Sequence, residues 1–137
     1  MLTLSVKSKY GLSAMLELAL KGTETPIQTR TLTEARDIPH NYLEQILTEL
    51  KRDGLVKSFR GARGGYILAK SPSHIKIIDI LNSLEGPSKL SESYCGCKTL
   101  TNFWETVEKD LKELLNVSLE DLIQQKQKSE KILNYAI

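Results

Sequence analysis

The chain has 137 residues, a length that suits one domain with one appended element. Its 40% hydrophobic and 26% charged residues are ordinary for a soluble fold, and no apolar run reaches membrane-spanning length. The only two cysteines stand one residue apart, which excludes a disulfide framework. The N-terminus lacks the pattern of a secretory signal, so we expect a cytoplasmic protein with no membrane partner.

The net charge of +2 is small, but its distribution is uneven. Residues 1–70 carry 11 Lys and Arg against 7 Asp and Glu, a balance of +4, and residues 71–137 carry 8 against 10, a balance of −2. A basic first half and a mildly acidic second half indicate a DNA-facing module followed by an assembly module.

Three helices are predicted in the first half. Apolar residues at helical spacing predict a helix over 7–21. The run Thr31-Leu32-Thr33-Glu34 has the form of a capping box and predicts the start of a short second helix, which should end before Pro39. A third helix is predicted from about His40 to Asp53. Its inward residues are expected to be Tyr42, Leu43, Ile46, Leu47 and Leu50.

A glycine-rich hairpin should follow the third helix. Residues 55–59 and 66–69 have the apolar character of paired strands. Between them lies Arg60-Gly61-Ala62-Arg63-Gly64-Gly65, in which the glycines suit a tight turn and the two arginines project positive charge. Two short helices and a cationic hairpin predict a winged helix-turn-helix, in which one helix enters the major groove of DNA.

The second half is predicted to be helical. An apolar helix should cover 75–84, and a polar loop containing Cys95 and Cys97 follows over 87–100. A long helix is then predicted over 100–116, and its apolar stripe needs a partner. Ser118 should cap one more helix, whereas the tail from Lys126 is either disordered or docked on a partner chain. The stripe, taken as a dimer interface, comprises Phe103, Trp104, Val107, Leu111, Leu114 and Leu115.

Five runs of the chain form a recognisable combination: Lys7–Leu12, Asn41–Leu47, Gly54–Ser58, Arg60–Tyr66 and Leu84–Pro87. Together they resemble the Rrf2 (Rrf-two) family of bacterial transcription regulators, which includes regulators of iron–sulfur cluster assembly and of cysteine metabolism. The similarity extends over essentially the whole chain. The fold class expected is mainly α with a small β-hairpin wing, a winged helix-turn-helix plus a long dimerisation helix. The expected division is a DNA-binding domain at 1–86, a sensor-type loop at 87–99, and the dimerisation helix with the C-terminal helix and tail at 100–137.

The resemblance also implies roles for individual residues in a homodimer that binds a partly palindromic operator and usually represses. Asn41 and the run Tyr42-Leu43-Glu44-Gln45 would face the major groove. Glu44 and Gln45 are the candidates for base recognition, since a carboxylate accepts from cytosine N4 and glutamine pairs with adenine. Arg60 would enter the minor groove, and Arg63 would contact phosphates. Phosphate-positioning contacts are expected from Lys7, Lys9 and Tyr10.

Cluster-binding members of the family carry three cysteines and commonly a histidine in the loop before the dimerisation helix. This chain has Cys95 and Cys97 there, with Asn102 near the usual place of the histidine, and neither His40 nor His74 belongs to the loop. Three interpretations stay open. The pair could hold an iron–sulfur cluster completed from elsewhere or from the other subunit, could sense oxidants as thiols near Lys98, or could have no role. Zinc would require the cysteines of both chains.

The sequence therefore predicts a dimeric, sequence-specific DNA-binding transcriptional regulator. We expect a repressor that responds to a redox, iron–sulfur or sulfur-metabolism signal, with a metabolic enzyme or other effector partner unidentified. The alternative is a winged helix used for protein–protein contacts without DNA readout. An enzyme is not expected, because no nucleophile–base pair stands out and the glycine run lacks the Lys-Ser/Thr of a phosphate loop.

Overall fold

The computed structural model describes residues 3–21, 24–86 and 96–136, with side chains as far as residue 130. It confirms the predicted fold class, since helices dominate and the sheet is one antiparallel hairpin. In chain order the elements are α1 (Val6–Lys21), α2 (Thr29–Arg36), α3 (His40–Arg52), β1 (Val56–Phe59), β2 (Gly65–Leu68), a 3-10 turn (Pro72–His74), α4 (Ile77–Glu85), α5 (Lys98–Leu114) and α6 (Leu119–Ala136).

Helix α1 lies at the centre of the fold and packs against α2, α3, α4 and α6. A methyl group at Gly11 would collide with the Leu84 side chain, so the absence of a side chain lets α1 and α4 approach closely. The core that these helices enclose is aliphatic, which accounts for most of the stabilisation by burial. Its fully buried members include Ala14, Met15, Leu32, Leu43, Ile46, Leu47, Leu50, Ile75, Ile80 and Leu119.

Helix α2 begins earlier than the predicted capping box. The helix starts at Thr29 after Gln28, so Thr31 lies inside the helix and the predicted cap is wrong. Glu34 instead accepts a hydrogen bond from Arg30 one turn before it, at 3.2 Å. The cause is tertiary, because the backbone of Ile27 pairs with Tyr66 of the hairpin and the chain turns into the helix directly afterwards.

The hairpin pairs Val56 with Leu68 and Phe59 with Gly65. Strand β1 starts one residue later than predicted, and β2 lies one residue earlier than predicted. Ile27 adds a bridge on the outer side of β2, with two backbone hydrogen bonds of 2.9 Å to Tyr66. This bridge holds the hairpin against the chain that enters α2.

The second half follows the predicted order with shifted ends. Helix α4 starts at Ile77, because Ile75 accepts a backbone hydrogen bond of 3.0 Å from Leu119 and is therefore held in an extended conformation. The predicted cap of α6 is confirmed, since Ser118 Oγ accepts from the Asp121 backbone at 3.0 Å. Helix α6 continues to Ala136, so the backbone of the tail is helical. Within the described ranges no helix has the length and apolar character needed to span a membrane.

Candidate nucleic-acid interface

Helix α3 has one buried face and one open face. Leu43, Ile46, Leu47 and Leu50 are completely buried, and the opposite positions Asn41, Glu44 and Gln45 are exposed. The apolar residues recur every three or four positions, which commits one side of the helix to the core. The polar side, which includes the first turn, is left free for a ligand.

Tyr42 lies at the boundary between these faces. The prediction that Tyr42 points inward is wrong, because 39% of the residue is exposed. Its ring meets Tyr10 of α1 edge to face, with centroids 5.6 Å apart. The structure thus brings Tyr10 and Tyr42, both predicted to face DNA, into direct contact.

Lys7 and Lys9, at the start of α1, have different environments. The Lys7 ammonium lies 3.2 Å from the carboxylate of Glu49 on α3, and the side chain is only 25% exposed. Lys9 is exposed, and no ion pair of Lys9 occurs within the described part of the chain. The Lys7–Glu49 pair was not predicted, because it joins residues 42 positions apart in the sequence.

The tip of the hairpin is shaped by its glycines. The Gly64 N–H donates to Gly61 O at 2.9 Å and closes the turn. A methyl group at Gly64 would collide with the carbonyl oxygen of Phe59, and one at Gly65 would collide with that of Ile27. Larger residues are therefore excluded at both positions, and Arg60 and Arg63 are carried on the exposed surface of the tip.

Gln28 braces this tip and was missed from the sequence. Its side-chain amide donates to Ala62 O at 3.1 Å, across 34 positions of sequence. Gln28 also stands at the N-terminus of α2. One residue therefore connects the first helix of the helix-turn-helix to the wing, although no local signal in the sequence marks it.

The start of α1 is fixed by a carboxylate from α4. Glu85 Oε1 accepts hydrogen bonds from Ser5 N at 3.0 Å, Ser5 Oγ at 2.5 Å and Ser8 Oγ at 2.6 Å. The hydroxyls of Ser5 and Ser8, followed by the Ser5 backbone, hold the pKa of Glu85 below its ordinary range. The two serines flank Lys7, so this network sets the position of the basic end of α1.

Helix α5 carries its apolar stripe on the surface. None of its 17 residues is buried, and Phe103, Trp104, Leu111 and Leu114 are exposed, with Leu114 at 74%. Val107 is half-buried. Leu115 follows the helix and packs against the core of its own chain. The stripe leaves a contiguous apolar surface of the kind that marks an interaction site.

Comparison with known proteins identifies the family to which this chain belongs. The model of the Rrf2 family, described as an iron-dependent transcriptional regulator, matches residues 4–125. The chain belongs to the Rrf2 family. Its relatives are transcriptional regulators rather than enzymes, and the chain is accordingly a DNA-binding transcriptional regulator.

Three relatives show how far the likeness extends. The regulator CymR of Bacillus subtilis is 38% identical over 87% of this chain and 88% of its own length. Its solved structure, that of the global cysteine regulator, superimposes with a TM-score of 0.82 over 91% of this chain and 98% of that one. The T. potens IscR structure gives 0.79 at 36% identity, covering 93% and 90%. The oxidized form of Staphylococcus aureus CymR gives 0.73 at 32% identity, covering 88% and 95%.

The two cysteines of this Rrf2 protein are too few to hold an iron–sulfur cluster without further ligands. Cys97 is exposed and immediately precedes α5, and Cys95 lies outside the described residues. Of the two histidines, His40 contacts Glu44 and His74 contacts Ser71. No group of three or more metal-binding side chains occurs among the residues that the structure describes. Because a cluster takes four protein ligands, the two thiols of one chain fall short of the set.

Proposed function

We propose that this Rrf2 protein is a homodimeric repressor that reads a partly palindromic operator with α3 in the major groove and Arg60 in the minor groove. The observation that carries the proposal is the division of α3, whose apolar face is completely buried while Asn41, Glu44 and Gln45 are open. An open polar face on a firmly packed helix suits base readout, because the packing holds the side chains in register with the groove.

The wing supports the same reading of the surface. Two arginines are exposed on a turn whose backbone is tightly constrained and which Gln28 connects to α2. A narrow minor groove concentrates negative potential and attracts an inserted arginine. Arg60 is assigned to the groove and Arg63 to the flanking phosphates. A winged helix used only for protein contacts would have no need of this charge beside the polar face of α3.

Dimerisation is assigned to the exposed stripe of α5. Burying Phe103, Trp104 and Leu111 against a second copy would remove a large apolar surface from water. A dimer also separates two α3 helices by about one turn of DNA, 34–36 Å, as a palindrome requires. Leu111→Glu should convert a dimer to a monomer in sedimentation, whereas Lys112→Ala on the polar face should not.

We assign the sensing of the regulatory signal to Cys95 and Cys97. Both belong to this chain's own C-x-C run, and Cys97 is exposed at the base of α5. We assign them a thiol-based redox response. A peroxide oxidises one thiol to a sulfenic acid with release of water, and the second thiol condenses with it to a disulfide and a second water, which alters the segment that joins the winged helix-turn-helix to α5. A cluster would require ligands beyond these two thiols, from elsewhere in the chain or from the other subunit. The oxidized form of S. aureus CymR supports a redox link within the family.

DNA binding is tested by selecting operators from random duplexes and measuring affinity over a salt series. We expect a selected palindrome and a steep loss of affinity with salt. Weak binding without a salt slope would instead support a protein-binding module.

The sensing role of the cysteines is tested on protein purified without oxygen. Its visible spectrum and its operator affinity are recorded before and after peroxide is added. A colourless protein whose operator affinity does not change with peroxide would exclude a sensing role for the two cysteines.

A further inference from the structure

The first turns of α3 contain a side-chain contact, between His40 and Glu44, that folding does not explain. His40 Nε2 lies 3.0 Å from Glu44 Oε1, and the two side chains are 56% and 63% exposed. Exposed pairs at this spacing contribute little to stability, because water competes for both charges. The pair lies on the open side of the helix, where the proposed function places base contacts.

A glutamate that reads a base has two difficulties. Its carboxylate is repelled by the neighbouring phosphates, and its three side-chain torsions leave it several positions in solvent. An imidazole that carries its proton on Nε2 reduces both, because the N–H beside Oε1 restricts the carboxylate and offsets part of its negative charge. The second oxygen, Oε2, is then free to accept from the amino group of cytosine.

We propose that His40 is a specificity-positioning residue, which holds the Glu44 carboxylate in the orientation that recognises one base pair of each half-site. This inference rests on the proposed role of Glu44 in DNA readout. It adds to that role a second residue on the same helix that acts through Glu44.

The test uses operators selected with the full-length protein. The base pair that Glu44 reads is located as the position where Glu44→Ala loses discrimination, and affinities are then measured for the operator and its variants at that position. We expect His40→Ala to lower discrimination there by about fivefold, since a good base contact is worth roughly 1–3 kcal/mol, or about five- to 150-fold. His40→Gln should retain most of it, because the amide donates across the same spacing.

Two further comparisons separate positioning from other roles. The double variant His40→Ala/Glu44→Ala should discriminate no worse than Glu44→Ala, because both changes remove one interaction. Lys112→Ala, which breaks a pair of the same spacing with Glu108 on α5, should leave discrimination unchanged. Thermal unfolding of His40→Ala should match that of the unaltered protein.

The outcomes that overturn the inference are distinct. If Glu44→Ala discriminates normally at every position, the readout assigned to Glu44 fails and the role of His40 fails with it. If Glu44→Ala loses discrimination and His40→Ala does not, only the present inference fails. If His40→Ala weakens all operators equally and lowers the salt slope by about one per protomer, His40 contacts a phosphate directly and is not a positioning residue.

Discussion

Tyr10 of α1 and Tyr42 of α3 meet edge to face, with ring centroids 5.6 Å apart and ring planes at 71°. The contact joins the basic end of the first helix to the start of the helix assigned to the major groove. The residues proposed for phosphate positioning and for base readout are thus connected by one aromatic pair at the edge of the core.

Removal of the Tyr10 ring should weaken both the fold and DNA binding. Tyr10→Ala is expected to lower the free energy of unfolding by about 2 kcal/mol, since a half-buried ring and one aromatic contact are lost. Tyr10→Phe keeps the ring and should be nearly neutral in stability. Urea denaturation of both variants measures this difference, and equal losses would show that the hydroxyl rather than the ring is responsible.

Release of Lys7 from Glu49 should strengthen DNA binding. Glu49→Gln removes a negative charge 3.2 Å from the Lys7 ammonium, which increases the net positive charge that faces phosphates. We expect a severalfold gain in affinity at low salt that shrinks as salt is raised. The double variant Lys7→Ala/Glu49→Gln should lose most of the gain, and an undiminished gain would mean that Lys7 does not face DNA.

Lys9, which forms no ion pair with any residue that the structure describes, is expected to contact phosphate directly. Lys9→Ala should weaken binding to all sequences alike and reduce the salt slope by about one per protomer. Filter binding over a salt series measures the slope. An unchanged slope would remove Lys9 from the interface.

Addition of one methyl group should disable the wing. Gly64→Ala places a side chain against the backbone oxygen of Phe59, which cannot yield without opening the turn. We expect operator affinity to fall more than tenfold, with most of the helical circular dichroism retained because the helices do not depend on the tip. Ala62→Ser, at an exposed position of the same tip, is the matched control and should bind normally.

The Glu85 network should make stability depend on pH in the acid range. Because the hydroxyls of Ser5 and Ser8 lower the pKa of Glu85 in the folded state, the ionised carboxylate stabilises the fold at neutral pH. This contribution is lost as pH falls through the ordinary glutamate range and then through the lowered pKa of the folded state. Glu85→Gln should flatten the acid limb of the stability curve, whereas Glu120→Gln on α6, outside this network, should not.

The local sequence pattern was sufficient to predict the helices and the hairpin of the winged helix-turn-helix. The apolar spacing of α3 predicted its buried face, with Leu43, Ile46 and Leu47 all fully buried. Tyr42 was the exception, since an aromatic at a boundary position satisfies the same spacing whether it packs inward or against Tyr10. The start of α2 was displaced because a backbone pairing outside the helix determined where it begins.

The sequence by itself determined the order of the helices, the glycine-rich wing, the candidate residues and the family, because these depend on neighbours in the chain and on short runs of residues. Only the tertiary structure decided which distant residues contact the candidate site. It paired Lys7 with Glu49, braced the wing through Gln28 and Ala62, and fixed the start of α1 with Glu85. These contacts join residues 42, 34 and 77 positions apart. No local periodicity encodes them, since they form only when the core brings distant segments together.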